Sequence, residues 1–276
     1  MPYLKVGQEN TGSIELYYED HGSGPPVVLI HGYPLSGRAW EKQVPMLIDD
    51  GRRVITYDRR GSGRSSQAGG GYDYDTFAND LHVLMESLDL RDALLVGHSM
   101  GTGEVTRYLG RYGSARVAKG VLISPIPPFL LQTSDNPEGL PASLFDGFMH
   151  TARDDSAAWM KAFLDNFFNI DKFRGTLVSD QYYQSCWNIA VSSSPTSAVA
   201  CIPTWETDFR KDLPKISIPM LVIQGDDDRM LPYPKTGQRL PGLIKDVQLV
   251  TIDQGPHAIA WTHADQVNAA LLKFIG

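Results

Sequence analysis

The five residues Gly97-His98-Ser99-Met100-Gly101 set a serine between two glycines, where an apolar run (93–96) ends and a helical stretch (102–108) begins. A serine on so sharp a strand-to-helix turn is held in an unfavourable backbone conformation, and flanking glycines let strand and helix approach closely. Its hydroxyl then projects from a sheet edge, where it can attack a carbonyl carbon. Because a serine hydroxyl is a weak nucleophile at neutral pH, a base must take its proton and an acid must steady that base. His257, in Gln254-Gly-Pro-His257, and Asp228, in Gly225-Asp-Asp-Asp228-Arg-Met-Leu-Pro232, each follow a later apolar run in the order serine, acid, histidine. Asp226 and Asp227 adjoin Asp228, and residue type alone does not choose among the three. His31-Gly32-Tyr33-Pro34 follows another such run. The backbone N–H groups of Tyr33 and Met100 could together bind the oxyanion of a tetrahedral intermediate.

Positioning these groups requires a sheet whose strand ends gather them. Residues 26–30, 53–57, 93–96, 117–123, 220–223 and 247–252 read as strands, several of them apolar at every position as strands buried on both faces must be. Between them Phe77, Leu81, Leu84 and Leu88 recur at helical spacing, as do Val267, Leu271 and Phe274. This alternation predicts a mostly parallel sheet with helices on both faces, and open α/β sheets place their sites at the carboxyl ends of the strands. Residues 14–19, ahead of a Gly-Ser-Gly turn, read as an antiparallel edge strand. The pattern breaks at Pro125, Pro127 and Pro128 and resumes at Ile218-Pro219. The intervening stretch contains a helical segment (156–169) and many aromatic residues, and a structureless loop of that length is improbable in a compact domain. We therefore expect a core of residues 1–125 and 214–276 and a helical cap insertion of 126–213. Within that insertion and its margin, Trp205 and Phe129 are expected to line an apolar acyl pocket.

Composition bounds the function. The chain has 276 residues, 42% hydrophobic and 21% charged, which excludes disordered, collagen-like and coiled-coil classes. A net charge of −7 makes nucleic acid an unsuitable partner. No apolar run approaches the 18 or more residues of a membrane span, and the first ten residues lack the apolar stretch of a secretory signal. These features predict a cytoplasmic protein with no membrane partner. Cys186 and Cys201 match neither a zinc site nor a disulfide scaffold, and His21, His82, His150 and His263 show no metal-ligand spacing. Asp58-Arg-Arg-Gly-Ser-Gly-Arg64 lacks the lysine and spacing of a phosphate-binding loop and reads as a structural loop flanking the site. His98 and His31 read as packed, hydrogen-bonded residues rather than second bases.

Longer strings carry a resemblance: Tyr17-Tyr-Glu-Asp-His-Gly-Ser-Gly, Val28-Leu-Ile-His-Gly-Tyr-Pro-Leu-Ser, Val54-Ile-Thr-Tyr-Asp-Arg-Arg-Gly-Ser-Gly-Arg-Ser, Gly97-His-Ser-Met-Gly-Thr-Gly-Glu-Val, Thr207-Asp-Phe-Arg and Trp261-Thr-His-Ala. On these the chain resembles the α/β-hydrolase fold, and within it the cofactor-free, non-haem bacterial haloperoxidases, also called perhydrolases. The resemblance implies an eight-stranded, mostly parallel sheet with a helical cap, and its G-x-x-D-x-x-x-P pattern selects Asp228 as the acid. It further implies esterase activity on small acyl esters through an acyl-serine, with lactones or γ-lactams as further substrates. Hydrogen peroxide would be a co-substrate that yields a peracid able to oxidise halide. No haem, metal or flavin is implied, and a homo-oligomer is. The chain departs from the resemblance at His98, where relatives commonly carry Phe, and at Tyr33, where Trp or Phe is frequent. Two other readings share the fold: a lyase-type enzyme using the same residues without an acyl-enzyme, and a ligand-binding receptor.

Overall fold

Apolar runs that alternate in which side they present become strands covered on both faces. In the computed structural model, which describes residues 2–276, they form one eight-stranded sheet. The strands are β1 (Tyr3–Glu9), β2 (Gly12–Gly22), β3 (Pro26–Ile30), β4 (Arg53–Tyr57), β5 (Ala93–His98), β6 (Val117–Ile123), β7 (Met220–Gly225) and β8 (Val247–Ile252), in spatial order β1-β2-β4-β3-β5-β6-β7-β8. Strands β3 to β8 run parallel, and β1 and β2 are antiparallel to their neighbours. Every position of β5 and of β7 is buried.

Successive residues of a strand serve opposite faces. Val28 and Ile30 join a core with Phe77, Leu81 and Leu84 of α2 (Tyr74–Ser87) and Val105 and Leu109 of α3 (Met100–Tyr112). Val27 and Leu29 join a second core with Leu47 of α1 (Val44–Asp49) and with Val267, Leu271 and Phe274 of the C-terminal helix (Ala264–Ile275). Burying each of those last three side chains contributes about 2 kcal/mol. Helix α2 starts where Asp73 accepts a hydrogen bond from the Thr76 N–H, an N-cap that satisfies one of the orphan donors of the first turn.

Between β6 and β7 the chain forms α4 (Ala142–Asp154), α5 (Ser156–Phe167), α6 (Ile170–Phe173), α7 (Asp180–Ser192) and α8 (Pro195–Ala200). Two further helices close the chain: α9 (Ile259–Thr262) and α10, the C-terminal helix already placed. Phe145, Trp159, Phe163, Phe167, Phe168 and Trp205 of the inserted segment pack into the same core as the inner face of β3 and β5, so these helices lie over the sheet instead of standing apart from it.

The sequence pattern missed β1 and misplaced the sheet edge. Residues 14–19 lie in β2, which is paired on both sides, and β1 is the edge strand. Strand β1 carries no fully buried residue, so its alternation is too weak to stand out before its pairing with β2 is known. Among the described residues no helix is long and apolar enough to cross a membrane, and no cluster of three or more His, Cys, Asp or Glu is placed to hold a metal ion.

Candidate active site

Parallel strands bring their following loops to one edge, and there the residues singled out in the sequence meet. Ser99 leaves β5 with φ 54° and ψ −120°, a conformation L-residues rarely adopt, before α3 begins at Met100. Such strain costs about 1–3 kcal/mol and persists only where the surroundings enforce it. The elbow has no room for larger neighbours: a Cβ on Gly101 would strike the carbonyl of Ile30.

Asp228 follows β7 and His257 follows β8. The Asp228 Oδ2 accepts the His257 Nδ1–H at 2.8 Å, and both side chains are fully buried. Asp228 Oδ1 accepts the N–H groups of Met230 (3.0 Å) and Leu231 (2.9 Å), so the carboxylate cannot turn freely. With Nδ1 donating, Nε2 of the neutral ring is left as an acceptor. That nitrogen is buried without a hydrogen-bond partner among the described residues, and His257 and Ser99 line the same cavity. A buried polar atom left unpaired is costly and calls for an explanation. Asp226 and Asp227 are engaged elsewhere: Asp226 caps the Gln254 N–H, and Asp227 accepts from Asn169 and Lys172.

The loop after β3 lies against the serine, since a Cβ on Gly32 would sit 2.7 Å from the Ser99 Cβ. The Tyr33 amide has no acceptor among the described residues, and Met100 opens α3, where the first N–H groups of a helix lack an intrahelical partner. A buried network behind them sets this loop. The Arg59 N–H donates to His31 Nε2 (2.9 Å), His31 Nδ1–H to the Gly32 carbonyl (2.8 Å) and the Arg59 guanidinium to the His31 carbonyl (2.8 Å). Arg59 is in turn paired with Glu104 of α3 at 2.9 Å, and the Tyr57 hydroxyl donates to the same carboxylate. Removing one partner of such a pair would strand a buried charge, so the pair's contribution is mainly placement. The Tyr33 hydroxyl accepts from the Trp159 indole N–H (2.8 Å) and donates to the Ala198 carbonyl (2.9 Å), tying this loop to α5 and α8.

Over Ser99 and His257 opens a cavity of about 480 Å³, with Trp159, Phe163, Trp205, Leu130 and Met230 among its walls. Trp205 is part of that wall. Phe129 does not line the cavity: its ring packs 4.8 Å from the Arg210 guanidinium, and its neighbours Ile126 and Leu130 take the wall instead. Among the described residues the one Lys or Arg on the wall, Arg229, is held bidentate by Asp171 (2.7 and 3.1 Å). The cavity is therefore mainly apolar, and among the described residues it offers no unpaired Lys, Arg, Asp or Glu to a ligand.

Residues 25–264 match the family described as alpha/beta hydrolase fold. The chain belongs to that family. Within it a Synechocystis sp. protein, provisionally named a non-haem chloroperoxidase, is 58% identical over the full length of both chains. A crystal structure of bromoperoxidase from Bacillus anthracis is 46% identical, superposes with a TM-score of 0.95 and covers 99% of this chain and 98% of its own. The bifunctional esterase/perhydrolase of Acinetobacter calcoaceticus is 34% identical, covering 95% of this chain and 96% of its own. This α/β hydrolase thus stands among the non-haem haloperoxidases, as its sequence strings imply.

Sequence reasoning placed Arg59 only in a structural loop flanking the site and did not find Glu104, Ser124 or Gln224, which hydrogen-bond to Arg59, the His257 carbonyl and Asp228. Ser124 directly follows β6 and Arg59 stands two residues past β4, a position at the carboxyl edge that offered the available signal. His98 and His31 are packed and hydrogen-bonded, as read. Burial, and then the neighbouring His257, drives the His98 imidazole down to about 3; burial and then Arg59 do the same to His31.

As pH falls below about 6.5 the unfolded chain protonates both rings while the folded chain does not, so stability is lost progressively from there toward pH 3. His98 alone accounts for about 2 kcal/mol between pH 7 and pH 5. Denaturant unfolding at those two pH values should show His98→Phe losing about that much less than the wild type.

Proposed function

We propose that this protein is a serine hydrolase that cleaves small, uncharged carboxylic esters, with lactones or γ-lactams as further substrates, through an acyl-serine intermediate on Ser99. The observation that carries the reading is the bare Nε2 of His257: its other nitrogen is bonded to Asp228, and it lines one cavity with a strained serine. In the forward step His257 Nε2 takes the Ser99 proton as the oxygen attacks the ester carbonyl, and the resulting imidazolium is stabilised by Asp228. The negative oxygen of the tetrahedral species is bound by the amides of Tyr33 and Met100, each contributing about 3 kcal/mol. His257 returns the proton to the leaving alcohol, and water, deprotonated by the same imidazole, releases the acid.

Hydrogen peroxide in place of that water converts the acyl-serine to a peracid and free Ser99, and the peracid then oxidises halide away from the protein. This second activity is supported by the names of the haloperoxidase and esterase/perhydrolase relatives. The chemistry calls for no haem, metal or flavin. The same reading treats residues 126–213 as a cap over a core of 1–125 and 214–276, the protein as a homo-oligomer, and its setting as the reducing cytoplasm, where the buried free thiols of Cys186 and Cys201 persist.

Mass spectrometry of the protein quenched during turnover of p-nitrophenyl acetate tests the assignment. We expect an acetyl group on the peptide containing Ser99. Turnover with no adduct, even with rapid quenching, would favour lyase-type chemistry, and ligand binding with no turnover would favour a receptor.

A further inference from the structure

The side chain just before the nucleophile is an imidazole that the proposed reaction does not use. His98 is buried, its ring centroid 5.0 Å from that of His257, and it is boxed edge-on by Trp40 and Phe167. Its Nε2–H donates to the main-chain carbonyl of His257 at 3.0 Å. The same carbonyl accepts from the Ser124 hydroxyl at 3.1 Å. These donors come from the ends of β5 and β6, neighbouring strands in the sheet, and His98 is covalently continuous with Ser99. On the far side the Ala258 N–H is bonded to the Phe167 carbonyl at 3.0 Å.

We propose that His98 and Ser124 are positioning residues, a two-donor clamp on the carbonyl of His257 that registers the base against the nucleophile. The inference rests on the serine-hydrolase reading above. A carbonyl has two lone pairs, and both are engaged here by side chains from the end of β5, which leads into the elbow, and from the end of its neighbour β6, so the base follows the strand that ends at Ser99. A loop held only through its ring and one amide would let the imidazole shift, and a displacement of about 1 Å at a reacting group can cost about a hundredfold in rate. Imidazole suits the task because its neutral form donates without placing a second positive charge beside the imidazolium that forms on His257; burial keeps it neutral.

The test measures kcat and KM on p-nitrophenyl acetate for His98→Phe, His98→Gln and Ser124→Ala. Phe fills the box without a donor, whereas the Gln amide places an N–H near the position of Nε2. We expect His98→Phe to lower kcat by about ten- to a hundredfold with KM within about twofold, His98→Gln to recover most of that loss, and Ser124→Ala to lower kcat by a smaller factor at unchanged KM. Wild-type kcat in His98→Phe, equal impairment of Phe and Gln variants, or a loss confined to KM would overturn the clamp. Should His98→Phe fail to fold, full kcat in Ser124→Ala would overturn it and a kcat loss at unchanged KM and melting temperature would support it. Activity retained in Ser99→Ala marks failure of the hydrolase reading itself; an inactive Ser99→Ala beside a fully active His98→Phe marks failure of the clamp alone.

Discussion

Replacing Ser99 with alanine should lower kcat for ester hydrolysis by about a millionfold while the fold persists. The size of the effect follows from the way the three groups act as one device: without the hydroxyl, the imidazole and carboxylate have nothing to activate except water at an unprepared distance. The amides of Tyr33 and Met100 and the apolar cavity are untouched by the change, so a residual rate above the uncatalysed one should survive. The melting temperature should not fall, because the Ser99 hydroxyl makes no capping hydrogen bond to α3 that alanine would lose. A steady-state assay paired with thermal unfolding checks both halves. A fall of less than tenfold would show that the acyl group never rests on this side chain.

Asp228→Asn should cost about ten-thousandfold in kcat, and here the structure supplies the reason in detail. Oδ1 of Asp228 accepts two backbone N–H groups, from Met230 and Leu231. An asparagine at this position keeps its carbonyl oxygen on those donors, and its NH₂ group is then turned toward His257 Nδ1 and toward the Gln224 amide donor now 3.3 Å from Oδ2. A donor facing Nδ1 forces the proton onto Nε2, so the imidazole presents N–H where it must present a lone pair. The geometry stays intact and the tautomer is wrong. Asp227→Asn serves as the control: its carboxylate binds Asn169 and Lys172, and the variant should stay within about threefold of wild type. Equal losses in the two variants would mean that the acid had been misassigned.

Much of this site was legible from residue order. Ser99, Asp228 and His257 each follow a run apolar enough to be a strand, and parallel strands deliver their following loops to one edge, so the three could be expected together before any fold was known. Tyr33 and Met100 were legible for the same reason. The choice of Asp228 over its neighbours rested on the resemblance and not on residue type: three adjacent aspartates present the same chemistry, and the physical ground for the choice, the imidazole for one against a loop amide and a lysine for the others, emerges only from the fold.

Phe129 shows the limit most clearly. Its size and apolarity suited a pocket wall, yet which way a side chain points in an irregular segment depends on what arrives from elsewhere, here Arg210 held by Asp208 and Asp135. Strand β1 was invisible because a half-exposed edge acquires its meaning from the strand beside it.

The sequence by itself determined the strand-helix alternation, the strained serine turn and the order of the reacting groups, because periodicity and turn chemistry are local properties written residue by residue. Only the tertiary structure decided what Asp226 and Asp227 bind instead, that Phe129 turns away from the cavity, and that His98 and Ser124 both donate to the His257 carbonyl. The two contacts to the His257 carbonyl join residues more than a hundred positions apart, and no local pattern encodes the direction in which two distant backbones will present their side chains to each other.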